Sequence, residues 1–266
     1  MWEVEQCREQ LPRGWNLNNT NIQPPSQPSP LQEEGVNFAP LQGGEDAYAL
    51  PDLKLIDSYA SEENKEWIAS ASVVLRGFAL SCESVLHTDL HKIISTAPFR
   101  HMITPGGFTM SVAMTNCGSY GWVSGRSGYR YDPNDPLTGK SWPEMPESFM
   151  ELAKKAAADA GFNNFISDVC LVNRYEPGAK LSLHQDKDEL DFNQPIVSVS
   201  LGVPAVFLFG GMKRKDRPTR VPLVHGDVVV WGGPDRLRYH GVMPLKNDHH
   251  PVFGNQRINL TFRKAY

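Results

Sequence analysis

Little in this chain points to a membrane or a disulfide. Its 266 residues contain no apolar stretch approaching the roughly 20 residues that span a bilayer. The opening MWEVEQCREQLPRGW has neither the basic start nor the apolar segment of a secretory signal. Only four cysteines occur (Cys7, Cys82, Cys117 and Cys170), and no two form a C-x-x-C pair. That spacing argues against a zinc ribbon, a dithiol redox site and a disulfide framework, and makes a reducing cytoplasm the expected location. Net charge is only −4, which taken whole offers no footprint for a polyanion.

The charge is unevenly spread. Residues 1–53 hold two arginines against eight acids, so the remaining 24 bases and 22 acids leave 54–266 at +2. The first segment contains QPPSQPSPLQ and shows no apolar periodicity, so 1–53 reads as a Pro-rich, disordered leader. From Lys54 the chain reads as one globular domain, 54–266. SCESVLHTDLHKIIS and PESFMELAKKAAADAG predict helices, the second with a glycine stop. VVLRGFAL predicts a strand, and FTMSVAMTNCG a strand pair. Six later stretches predict short strands: DVCLVNRYE, KLSLHQD, PIVSVSLGVPAVFLFGG, GDVVVWGG, LRYHGVMPL and INLTFR. Helices followed by many short strands imply an α+β domain built on a sandwich or jelly roll. Two polar stretches, 119–143 and 212–220, read as long loops, which is where substrate contacts concentrate.

The stretch LSLHQDKDE carries chemistry. Period-2 alternation puts His184 and Asp186 on one strand face, where they offer an imidazole nitrogen and a carboxylate oxygen to a shared point. A histidine from another strand would complete a 2-His-1-carboxylate set, which leaves three coordination positions free. By spacing alone His225, His240, His249 and His250 all qualify. In RINLTFR the same alternation aligns Arg257, Asn259, Thr261 and Arg263. Two inward arginines are costly unless they meet anions, and a dicarboxylate would satisfy both. Asn173 and Tyr175 share a face in NRYEPG and add an amide and a hydroxyl.

LSLHQDKDE, NRYEPGAKL, DVVVWGG, LRYHG and RINLTFR, with TPGGFTMSVAMTNCG and GWVSGRSGYRYDPNDPLTGKSWPEMP, resemble the AlkB family of iron(II)/2-oxoglutarate dioxygenases. The resemblance runs from about Lys54 to the C-terminus. It implies a double-stranded β-helix (jelly-roll, cupin-like) core with N-terminal helices and a nucleotide-recognition loop region. It further implies His184, Asp186 and His240 as iron ligands, and Arg257 and Arg263 on the two carboxylates of 2-oxoglutarate, assisted by Asn173, Tyr175 and Asn259. Trp122 would stack on a flipped base opposite His184, and Asp188 would accept from its exocyclic amine. Tyr129, Lys187, Arg214 and Thr104 would meet phosphates, with Lys213 and Lys215 adding charge, and Trp231 would wall the iron site.

The implied reaction is oxidative dealkylation of 1-methyladenine and 3-methylcytosine type lesions. It releases formaldehyde and turns 2-oxoglutarate and dioxygen into succinate and carbon dioxide. The implied partner is alkylated single- or double-stranded DNA, with RNA left open, and a monomer is expected. Phe108 and Ile258 depart from the pattern, standing where the family favours tyrosine.

Overall fold

A computed structural model describes residues 62–266, so the leader expected over 1–53 lies outside the described residues. The first half runs β1 (Lys65–Ala69), β2 (Ser72–Leu75), α1 (Glu83–Thr96), β3 (Arg100–Ile103), β4 (Thr109–Gly118), β5 (Gly121–Gly125), β6 (Gly128–Asp132) and α2 (Glu147–Asp159). The second half is strands with one short 3-10 helix at Gly233–Asp235: β7 (Val169–Tyr175), β8 (Leu181–His184), β9 (Ile196–Gly202), β10 (Ala205–Phe209), β11 (Thr219–Leu223), β12 (Val228–Trp231), β13 (His240–Val242) and β14 (Arg257–Arg263).

An eight-stranded sheet in the order β1-β2-β12-β9-β14-β7-β4-β3 faces a four-stranded sheet, β11-β10-β13-β8. Strands β7 to β14 divide evenly between the two, and every described pairing is antiparallel. This is the jelly roll that the family resemblance implies, one of the two layouts the strand spacing allows. Tyr175, Val229 and Trp231 of the larger sheet meet Phe207, Phe209 and Val242 of the smaller in one apolar layer. The opposite face of the larger sheet carries the helices. In α1, Leu86, Leu90 and Ile93 recur at helical spacing; in α2, Phe149, Leu152, Ala153, Ala156 and Ala157 do the same, and both stripes bury against β9, β12 and β14. Each fully buried leucine there contributes about 1.5–3 kcal/mol.

Strand β14 therefore separates two environments residue by residue. Ile258, Leu260 and Phe262 join the helix-side core, while Arg257, Asn259, Thr261 and Arg263 face between the sheets. Ile258 thus points away from the chemistry, so its departure from the family pattern leaves the site untouched.

Several expectations shift. VVLRGFAL ends as a strand at Leu75 because Gly77 takes a positive φ of 65° and turns the chain into a 3-10 helix at Leu80–Cys82. FTMSVAMTNCG forms one ten-residue strand rather than a pair. The loop expected over 119–143 contains the β5–β6 hairpin, so strands, not helices, dominate the first half. One of its glycines serves close packing: a Cβ on Gly121 would lie 2.3 Å from the Trp142 ring. Among the described residues no helix is long and apolar enough to cross a membrane.

Candidate active site

Three donor side chains converge at one end of the smaller sheet. His184 closes β8, His240 opens β13, and the two are direct partners across the antiparallel ladder. Gly241 permits the close approach, since a Cβ there would sit 2.6 Å from the Leu181 carbonyl oxygen. Asp186, just past β8, brings Oδ1 within 3.6 Å of His184 Nε2 and Oδ2 within 3.5 Å of His240 Nε2. One donor atom from each lies within 4.8 Å of the others.

The backbone fixes both ring tautomers. His184 Nδ1 is 2.9 Å from the Ser182 carbonyl and His240 Nδ1 is 3.0 Å from the Arg238 carbonyl. A carbonyl only accepts, so each Nδ1 carries the hydrogen and each Nε2 turns a lone pair toward Asp186. Burial opposes charge on Asp186, yet Arg263 and then His240 hold its carboxyl well below the usual carboxylate range. Burial, followed by the neighbouring His240, pushes the His184 imidazole down to about 4. At neutral pH Asp186 is therefore ionised and the His184 imidazole is neutral.

A buried ion network holds Asp186 from behind. Arg263 Nη2 donates to Asp186 Oδ2 at 2.7 Å, and Arg263 Nη1 donates to the Tyr131 hydroxyl at 3.3 Å. Tyr131 in turn donates to Glu189 at 2.6 Å. Arg236 pairs with Glu189 at 3.0 Å and donates to the Asp186 backbone carbonyl at 2.8 Å. Sequence reading missed Tyr131, Glu189 and Arg236, because Glu189 sits in the DKDELD charge run and its partners are remote along the chain.

The floor between the sheets is polar. Across β7, β14 and β9 the register aligns Tyr175 with Arg257, and Asn173 with Asn259 and Ser200. Arg257 donates from Nη2 to Ser200 Oγ at 2.8 Å and lies 5.1 Å from the centre of the Tyr175 ring. Its Nε and Nη1 are buried without a hydrogen-bond partner, as are Asn173 Oδ1 and Trp231 Nε1. Asn259 is internally committed, donating to Ser198 Oγ and the Val199 carbonyl and accepting from Thr261. Ser198 and Ser200 were also missed, although two hydroxyls alternating with valine in IVSVSLG are a readable sign of a polar strand face.

Trp122 and Tyr129 stack at the rim, with centroids 5.4 Å apart and planes 16° from parallel. Asn116 grips the Trp122 backbone, donating to its carbonyl at 3.1 Å and accepting from its N–H at 3.0 Å. Trp122 Nε1 donates to Asp188 Oδ2 at 2.9 Å. Thr104 braces a turn by accepting from the Phe108 N–H. Thr104, Trp122, Tyr129, Lys187, Asp188 and Arg214 all line the same cavity of about 640 Å³ as the three donors and the arginine floor. Lys213, Lys215 and Phe108 are exposed and lie outside its lining, and so do His225, His249 and His250.

A family model described as the 2OG-Fe(II) oxygenase superfamily matches residues 72–263. "Alpha-ketoglutarate-dependent dioxygenase AlkB" of Escherichia coli (strain K12) is 56% identical over 212 residues, which cover 79% of this chain and 98% of that one. The chain belongs to the AlkB family of this superfamily. "Nucleic acid dioxygenase ALKBH1" of Mus musculus is 33% identical over 122 residues, 46% of this chain and 31% of that protein. The solved structure of OsALKBH1 superposes with a TM-score of 0.66 at 29% identity, covering 75% of this chain and 99% of that one.

Membership makes the chain a dioxygenase that uses iron(II), 2-oxoglutarate and dioxygen, and the residues present fit the first two. Two bare imidazole nitrogens with one ionised carboxylate are the donor set of non-haem iron(II) oxygenases. The unpartnered Arg257 N–H groups suit a carboxylate, which a guanidinium fork binds in bidentate fashion.

Proposed function

We propose that this AlkB-family dioxygenase removes alkyl groups oxidatively from ring nitrogens of nucleic-acid bases. One observation carries the reading: the Trp122–Tyr129 stack stands at the rim of the same cavity that gathers His184, Asp186 and His240. A flat, half-buried aromatic beside a metal-type donor set suits a planar base better than an aliphatic acid or a peptide side chain.

The catalytic domain is 54–266. His184, Asp186 and His240 hold iron(II), which supplies the oxidising chemistry with dioxygen and 2-oxoglutarate as co-reactants. Arg257 binds the far carboxylate of 2-oxoglutarate through its free Nε and Nη1, steadied by Tyr175, Asn173 and Asn259. Arg263 keeps Asp186 ionised and adds positive charge on the side of the near carboxylate. Trp231 and Phe207 wall out water near His240, with ring centroids 5.0 and 6.0 Å from it. Trp122 stacks on the base opposite His184, and Asp188 accepts from its exocyclic amine. Tyr129, Thr104, Lys187 and Arg214 meet the backbone phosphates. A duplex substrate must flip the damaged base, at a cost of a few kcal/mol that is smallest for lesions. In net terms a methyl carbon leaves as formaldehyde while 2-oxoglutarate becomes succinate and carbon dioxide.

Alkylated DNA is the substrate we expect first, with RNA second, and the enzyme acts as a cytoplasmic monomer. Cys117 and Cys170 stand directly opposite each other in β4 and β7 as free thiols, which suits a reducing compartment. The test is turnover of 1-methyladenine in DNA and RNA oligonucleotides against a panel of small acids and peptides. Faster turnover of the oligonucleotides supports the reading, and turnover confined to the panel overturns it.

A further inference from the structure

Histidines gather at a second place, on the outer side of α1. This helix packs Leu86, Leu90 and Ile93 onto the face of the larger sheet that looks away from the cavity, so the sheet separates anything the helix carries from the first site. His87 and His91 lie one turn apart on it, and their Nε2 atoms are 3.1 Å from each other. Nitrogens bound at about 2.0–2.1 Å lie about 3.3–3.4 Å apart on a tetrahedral ion, and about 2.9 Å apart at adjacent octahedral positions. The observed separation falls between the two. Histidines at i and i+4 on one helix face are also the spacing by which helices present two imidazoles to one metal.

The pair is partly pre-arranged. The His87 ring meets Phe253 edge-on, with centroids 5.3 Å apart and planes at 90°, which restrains one of the two side chains before any ligand arrives. Burial and then His91 lower the proton affinity of His87, which favours the neutral, ligating form.

A nearby group, Glu83, His225 and His250, gathers three donors within 4.8 Å. Its nitrogens are already committed. His225 Nδ1 accepts the Gly202 N–H at 3.0 Å, so Nε2 carries the hydrogen, 3.3 Å from Glu83 Oε1 but without a hydrogen bond to it. His250 Nδ1 accepts from the Val252 and Phe253 N–H groups at 3.3 and 3.4 Å. Both Nε2 atoms therefore bear hydrogens, and this group holds protons rather than a cation. The described hydrogen bonds place no backbone donor on the ring nitrogens of His87 and His91; their Nε2 atoms share one hydrogen bond with each other, and a cation between them would take the place of that single hydrogen.

We propose that His87 and His91 chelate a borderline divalent cation of the zinc, nickel or copper kind on the outer face of α1, with water completing its shell. The test is calorimetric titration of the full chain with zinc(II). The 2-His-1-carboxylate site will also take zinc, so the readout is which equivalent each variant loses. His91→Gln, at an exposed position, should lose one equivalent or weaken it at least tenfold while leaving the equivalent that His184→Ala removes. Zinc binding by His91→Gln with the number and affinities of the parent would overturn the proposal. His87→Gln should repeat the His91→Gln result, and if its loss of the Phe253 contact prevents folding, His91→Gln decides alone.

Discussion

His184 and His240 stand directly opposite each other across the β8–β13 ladder, with ring centroids 4.4 Å apart. Strand pairing alone thus brings together two imidazoles separated by 56 positions, and Asp186 lies only two residues past the end of β8. The first prediction follows from this economy. His184→Ala or Asp186→Ala should leave the far-ultraviolet circular dichroism of the chain unchanged and cut iron-dependent turnover by more than about 100-fold. Losing even groups that merely orient a ligand costs about 10–100-fold. Turnover near that of the parent in either variant would remove the residue from the ligand set.

Arg257 separates binding from folding. Two of its nitrogens, Nε and Nη1, are buried and unmet, and each such unsatisfied donor costs about 1–3 kcal/mol. Arg257→Met should therefore leave the melting temperature of the ligand-free chain unchanged or raised. The same variant should weaken 2-oxoglutarate by about tenfold or more, since a hydrogen bond to a charged group is worth about 1.5–3 kcal/mol. Melting curves with and without 2-oxoglutarate measure both effects.

Much of this was legible in the sequence. Strand spacing narrowed the fold to a sandwich or a jelly roll, and period-2 alternation marked the H-x-D and R-x-N-x-T-x-R stretches, because each of these is a local pattern on one strand. What escaped was set by tertiary packing. Glu189 looks like one more acid in a solvated run, and only its pairing with Arg236 and Tyr131 distinguishes it. Trp122 and Tyr129 sit in glycine-flanked segments that read as loop, because a two-stranded hairpin packed on Trp142 has no apolar periodicity of its own. Nothing in the sequence told Arg257 from Arg263, yet Arg257 keeps Nε and Nη1 open while Arg263 commits Nη2 to Asp186 and Nη1 to Tyr131 and keeps only Nε open.

Trp122 should matter to the nucleic acid and not to the co-substrate. Trp122→Ala removes a stacking surface worth about 1–3 kcal/mol, so KM for a methylated oligonucleotide should rise about 5- to 150-fold. Consumption of 2-oxoglutarate in the absence of nucleic acid should stay at the parent rate. Steady-state kinetics with both readouts separates the two effects.

The iron-free chain should lose stability as the solution is acidified. His184 is held neutral, its pKa lowered from 6.5 to about 4, first by burial and then by His240. Unfolding frees it to take up a proton, so its contribution is complete above pH 6.5 and drains away as pH falls toward about 4. Asp186, also depressed, contributes above the ordinary carboxylate range and loses that contribution as pH falls below it. Urea midpoints measured from pH 7.5 to 4 should fall, and His184→Ala should show a shallower decline between pH 6.5 and 4.

The decisive measurement is a coupled stoichiometry. The chain is loaded anaerobically with iron(II) and 2-oxoglutarate, then exposed to air with an oligonucleotide bearing 1-methyladenine, and formaldehyde, succinate and restored adenine are counted together. Formaldehyde and restored adenine in equal amounts, with succinate at least matching them, are the predicted result. Succinate formed with no restored adenine would contradict base dealkylation as the function of this cavity.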